Sequence, residues 1–197
     1  MSEKKMASGG EGGDRGSFKD LIVEELSLLL KNFICRWLQR HGFGDAIMIQ
    51  EVLNATKLLN PRQHKVSDTL QVIGDQVDGD GELRRLTNDP SIIPTKEVFM
   101  KVVFALFSDG KISWGRVVSV FWFACLLVMK AHETRVFDII RDIITWTIDY
   151  FRDKVVNWIK EQGGWEGIYS HFGTPTWQMV TIFLAGVLTT LFVIKKI

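Results

Sequence analysis

The sequence predicts an all-α fold built around one apolar helix, and three observations carry that prediction. In the stretch 107–130, FSDGKISWGRVVSVFWFACLLVMK, no charge occurs between Val117 and Met129. A helix through those residues is apolar on every side and has to be buried on every side. It is too short to be read first as a membrane span. Around it, apolar residues recur at helical spacing in several separate segments. No segment alternates as a strand requires, and none repeats another.

The totals agree with a single domain. The chain has 197 residues, 46% of them apolar, enough for a core of ordinary size. A net charge of +1 gives no polybasic surface for nucleic acid. The two cysteines, Cys35 and Cys125, lie in apolar helical stretches and read as buried reduced thiols, not as a disulfide scaffold. The opening MSEKKMASGGEGGDRG has no apolar core and is no secretory signal, so the glycosylation pattern at Asn54-Ala55-Thr56 carries no meaning.

Taken in order, residues 1–16 are Gly, Ser and charge and are expected to be disordered. Ser17 and Asp20 form a capping box, after which Ile22, Leu26, Leu29, Leu30, Phe33, Ile34 and Trp37 mark an amphipathic helix ending near His41-Gly42. Residues 43–60 read as a loop with a helical turn at most. Pro61 precedes a second helix, 62–80, which stops at Gly79-Asp80-Gly81. A short helix is expected over 82–88, then a break between Pro90 and Pro94. Thr95 caps a helix through Phe107 with Val98, Val102 and residues 104–107 facing in. Ser113 caps the central helix, which runs to about His132. A helix over 135–155 turns Val136, Ile139, Ile140, Ile143, Ile144, Ile148 and Phe151 inward, and Arg141, Asp142, Asp149, Arg152 and Asp153 outward. Short helices at 156–162 and 165–172 flank Gly163-Gly164, and Thr174-Pro175 opens a last helix.

That last helix is a tail anchor by its composition. From Met179 to Ile194 the run MVTIFLAGVLTTLFVI has no charge, and Lys195-Lys196 follow at once. Sixteen residues reach ~24 Å, and Trp177 with Gln178 extends this to ~27 Å, close to a ~30 Å hydrocarbon core. Trp177 then sits at one membrane boundary and the lysines at the other. The alternative is a buried core helix, which has no need of a terminal lysine pair. Thr181, Thr189 and Thr190 dilute the run, as expected of a segment that is soluble when masked and inserted when released.

Catalytic and metal motifs are missing. The four histidines, at 41, 64, 132 and 171, are scattered, and His132-Glu133 has Val136 where a zinc protease needs its second histidine. Asp78-Gly-Asp80-Gly-Glu82 has Leu83 where a calcium loop needs glycine. Gly79-Asp-Gly81 has Arg84 where a dinucleotide fingerprint needs its third glycine. No enzyme, metal or cofactor is expected. The second helix says more. Val66, Leu70, Ile73 and Val77 form one stripe of the kind that fits a groove, Gly74 sits beside it, and Asp75 lies on its edge. Plain core packing gives the same spacing, but an interior glycine costs about 1 kcal/mol against alanine. Close approach of another helix would be a reason for it.

Three motifs together resemble those of the Bcl-2 family of apoptosis regulators. Leu70-Gln-Val-Ile-Gly-Asp75 resembles the third homology motif, or death motif. Ser113-Trp114-Gly115-Arg116 resembles the first, with serine for the usual asparagine, and Gly164-Trp165-Glu166-Gly167 the second. Phe107-Ser-Asp-Gly110, Gln162-Gly-Gly-Trp165 and Phe172-Gly-Thr-Pro-Thr-Trp-Gln178 extend the likeness over residues 18–197. The 43–60 loop and the N-terminus match poorly, and Leu191-Phe192 is less polar than the family pattern.

The resemblance implies a bundle of roughly eight or nine helices over 17–173 around an apolar hairpin, 114–155, with the tail helix 174–197 outside it. It implies a groove formed by the helices at 62–80, 95–107 and 114–130, where the tail rests before activation. It also implies a pro-apoptotic effector, cytoplasmic at rest. Death-motif-only activators release the tail, and the protein moves to the mitochondrial outer membrane. There it pairs death motif in groove as a homodimer, oligomerises among the lipids and releases cytochrome c. Pro-survival relatives would be further partners. Two other readings stay open: a survival protein that captures death-motif helices, and a tail-anchored adaptor without pore activity.

Overall fold

The computed structural model describes residues 12–43, 51, 60–79, 85, 88–90 and 92–172. The first helix, α1 (Gly12–Arg40), buries all seven apolar residues of the expected stripe. It starts five residues before the expected cap, so Ser17 lies within the helix and the 16/17 boundary falls inside α1. Once a packed segment is helical, each further residue adds a hydrogen bond without a new nucleation cost, which lets the helix extend past a good cap. The helix ends where Gly42 takes a φ of +78°.

Helix α2 (Pro61–Asp78) is capped by Asn60, whose side chain accepts from the Gln63 N–H at 2.9 Å. Pro61 is the first helical residue, not the one before it, because a first-turn amide would be unpaired anyway. Helix α3 (Lys96–Leu106) has the expected Thr95 cap on the Val98 N–H, at 3.2 Å. Its buried face differs from the expected one. Phe99, Val102, Val103 and Leu106 point in, Val98 is half-buried, and Phe104 and Ala105 are exposed. Among the described residues, α3 makes its main contacts with the helices at 114–133 and 137–150, and its buried side chains form one narrow stripe. The Phe104 ring lies outside that stripe, edge-on to Tyr150 at 6.2 Å.

Helix α4 (Trp114–Glu133) is the centre of the molecule. Ser113 caps it by accepting from the Arg116 N–H at 3.4 Å. Every residue from Val117 to Ala131 is buried, as an all-apolar helix requires. It is long and apolar enough to cross a membrane, but here its neighbours cover it. Helices α1, α2, α3 and α5 (Phe137–Tyr150) all pack on it.

Helix α5 begins two residues later than expected, and Val136 is left 45% exposed in the link instead of facing in. Ile140, Ile143, Ile144 and Phe151 are buried, Ile139 and Ile148 half-buried, and the five expected outward charges are exposed. No break follows at 155. A wider turn over Phe151–Val155 carries the chain directly into α6 (Val156–Glu161). The extra residue in that turn brings Phe151, Val155 and Val156 all to the core. Gly163 and Gly164 then adopt φ of +87° and +85°, a reversal that side-chain-bearing residues resist, and lead into the tight turn Trp165–Gly167 and the short helix Ile168–Phe172. The loop expected over 43–60, the short helix over 82–88 and the tail over 174–197 fall, but for isolated positions, outside the described residues.

Candidate interaction site on the second helix

The stripe of α2 is turned into the core. Val66, Leu70, Ile73 and Val77 are all buried, against α1 and α4. At Gly74 α1 comes close: a Cβ there would lie 2.6 Å from Phe33 Cζ. Phe33 in turn sits edge-on to Phe121 of α4, with ring centroids 5.7 Å apart. The close helix approach expected at this glycine is therefore made within the chain.

Beside the stripe, a row of polar contacts ties α2 to α1. Ser67 Oγ donates to Asn32 Oδ1 at 2.6 Å, and Arg36 Nη1 to Asp68 Oδ1 at 2.6 Å. Gln71 Nε2 donates to the Phe33 carbonyl at 3.3 Å. Arg40 donates to Gln71 Oε1 and pairs with Asp75. Asp78 takes His41 Nε2 at 2.7 Å and the Trp122 indole N–H at 3.2 Å. At the other end Arg62 Nη2 reaches Glu25 Oε1 at 2.8 Å, and the Tyr169 hydroxyl donates to the Arg62 carbonyl at 3.3 Å. Burial pushes the Glu25 carboxyl above its ordinary value, although Arg62 pulls it down. Half-exposed pairs of this kind contribute at most about 1 kcal/mol each. Burial of the four apolar side chains, about 1.5–3 kcal/mol apiece, supplies the affinity of α2 for the core. The polar row sets its register.

The first and second motifs share one aromatic floor. Trp114 is buried, 5.1 Å from the Trp158 ring and 5.8 Å from that of Trp165. The Trp165 indole donates to the Ile22 carbonyl of α1 at 3.2 Å. Gly167 lies so close under Gln162 that a Cβ would sit 2.3 Å from its carbonyl oxygen. Glu166 is exposed, 3.9 Å from Arg62. Gly115 is half-buried beside Arg116. Arg116 grips Asp109 with both ends of its guanidinium, Nη1 to Oδ1 at 2.5 Å and Nη2 to Oδ2 at 2.7 Å. Arg116 holds the Asp109 carboxyl far below the usual aspartate range, helped by the Lys111 N–H. Asp75 and Arg116 are not partners within the chain, since each has another residue. The anchor residues Trp177, Met179, Ile194, Lys195 and Lys196 lie outside the described residues.

The reading of the sequence missed Glu25, Arg36, Arg40, His41, Arg62 and Asp109. A signal for some of them was there. Arg36 and Arg40 stand four apart on α1, and Asp68 and Asp75 seven apart on α2, so each set shares one helix face. Opposite charges on two helices do not say which helices meet.

The family model described as apoptosis regulator proteins of the Bcl-2 family matches residues 70–165. This span takes in the death motif, the first motif and the opening of the second. The chain is 49% identical to the apoptosis regulator BAX of Homo sapiens over 175 residues, 89% of each chain. It is 50% identical to that of Mus musculus over 132 residues, 67% of this chain and 69% of the relative. The chain belongs to the Bcl-2 family, a family of regulators and not of enzymes. Within the family it is similar to the Bax proteins, as the joins at Phe107-Ser-Asp-Gly110 and Phe172-Gly-Thr-Pro175 lead one to expect. The fold agrees. The crystal structure of chicken BOK superposes with a TM-score of 0.60 at 20% identity, covering 78% of this chain and 96% of that one. A Trichoplax adhaerens relative, trBcl-2L2, solved with the trBak BH3 bound, superposes with a TM-score of 0.60 at 22% identity, covering 76% and 98%.

Proposed function

We propose that the chain is a pro-apoptotic effector, held inactive by burial of its own death motif. The observation that carries this is the complete burial of Val66, Leu70, Ile73 and Val77, together with the row of contacts from α1 that keeps α2 in place. A surface that has to meet a partner is hidden in the resting chain, so activity requires α2 to leave. A ligand that prefers the opened form shifts the population toward it. Death-motif helices are ligands of that kind, and pro-survival relatives would compete for the released stripe. The similarity to Bax supports the later steps, in which the tail inserts in the mitochondrial outer membrane from the cytoplasm. Opened chains then pair reciprocally, and the oligomer permeabilises the membrane and lets cytochrome c out.

In the pair, Asp75 of each copy meets Arg116 of the other, so a two-fold dimer has two such contacts. The test is a mixture of charge-reversed variants on dye-loaded liposomes. Asp75→Arg alone and Arg116→Asp alone each set like charges together and are expected to be inactive. Mixed, one contact joins the introduced arginine to the introduced aspartate, and the other joins the native pair. Dye release is expected to return in part. Folded variants whose mixture stays inactive, or a single variant with normal release, would rule the reciprocal contact out. A survival protein would instead block release by other effectors, and an adaptor would leave it unchanged.

A further inference from the structure

We infer that Asp109 is a built-in competitor for Arg116, holding in the resting chain the guanidinium that Asp75 of a second copy has to take. The inference rests on the reciprocal pairing proposed above and adds a regulation to it. Asp109 sits in the turn after α3, seven residues before Arg116, and engages it with both carboxylate oxygens, at 2.5 and 2.7 Å. That two-pronged geometry is how an arginine takes a carboxylate with most strength and specificity. Arg116 Nη1 also donates to the Lys111 carbonyl at 2.5 Å. The Nη1–Nη2 edge of the guanidinium is thus occupied, and a second carboxylate that takes this edge has to displace the first.

The turn is shaped to present Asp109. The Lys111 N–H donates to Asp109 Oδ1 at 3.0 Å, which fixes the carboxylate ahead of α4. A competitor tethered this closely acts at high effective concentration, which a partner in solution lacks. The contact is also open to exchange, with the Asp109 side chain 45% exposed and that of Arg116 22%. Asp75 is meanwhile paired with Arg40. Both halves of the intermolecular contact are therefore occupied at rest. Pairing breaks Arg40–Asp75 and Asp109–Arg116, forms Asp75–Arg116, and frees Arg40 and Asp109 to water. Such an exchange sets a threshold and not a block. If Asp109 leaves Arg116 about a tenth of the time, roughly ten times more partner is needed for the same occupancy.

The experiment titrates full-length protein with a synthetic peptide of residues 61–79 and reads dye release from liposomes. Asp109→Asn keeps an oxygen to accept from the Lys111 N–H, so the turn holds, but it loses the charge. Asp109→Ser, which also accepts from a nearby amide, is the second variant should the first fold poorly. Either is expected to lower the half-maximal peptide concentration roughly three- to tenfold. Arg116→Ala is expected to raise it, and Asp109→Asn in the Arg116→Ala background to change nothing further. If the pair only braced the turn, loosening it from either end would have the same effect, so shifts in the same direction overturn the inference. An unchanged threshold for both Asp109 variants, with release recovered by the charge-reversed mixture, overturns the competition and leaves the reciprocal contact standing. A mixture that stays inactive removes both.

Discussion

Gly74 of α2 faces the ring of Phe33 in α1 so closely that a methyl group would lie 2.6 Å from Cζ and 2.9 Å from Cε2. Contact this tight makes the glycine a condition of the packing of α2 on α1. Gly74→Ala gains helix propensity but has to push Phe33 away from Phe121. We expect a net loss of about 1–3 kcal/mol, read from chemical denaturation. Phe33→Leu in the same chain should return part of it, and the two changes should fail to add.

Leu70 is wholly buried, so its substitution acts on the fold. Leu70→Ala is expected to cost about 2–5 kcal/mol in the resting protein. Leu70→Glu sets an unpaired carboxylate in the core and is expected to lose the fold. Urea unfolding followed by circular dichroism checks both. A cooperative, wild-type-like transition for Leu70→Glu would mean that α2 does not hold its stripe in the core.

Arg62 is the partner of Glu25, whose side chain is only 10% exposed. Arg62→Ala leaves that carboxylate buried without its arginine, at a cost of about 1–3 kcal/mol. Glu25→Gln added to Arg62→Ala should recover part of the loss. The pH dependence has a definite sign. The folded value of Glu25 lies above its ordinary 4.5, mainly through burial. Its ionised form therefore opposes folding, and stability is gained as pH falls through the folded value toward 4.5. Losing Arg62 removes the lowering influence and should strengthen this gain. Melting temperatures of the single variant between pH 7 and 5 check it, and a flat profile would count against the burial of Glu25.

Cys35 and Cys125 are free and buried, on α1 and α4. Burial pushes the Cys35 thiol up to about 11 and Cys125 well above its ordinary value, so little thiolate exists near neutral pH. Both are expected to resist a soluble thiol reagent in the resting protein and to react once an activating peptide parts the helices. Rapid labelling of Cys125 without activator would mean that α4 is already exposed.

The sequence by itself determined the helical class, the central helix and the caps at Thr95 and Ser113, because apolar period and capping chemistry act over a few residues. It determined the membership of the family too, since the three motifs are contiguous strings. Tertiary structure decided the rest. Phe104 and Val136 look inward by composition, and the described residues leave both exposed. The burial of Val66, Leu70, Ile73 and Val77, the hold of Arg36, Arg40 and His41 on α2, and the grip of Asp109 on Arg116 depend on which helices meet. Charge and spacing leave that choice open, and it is made by the packing of α1 and α2 on the all-apolar surface of α4.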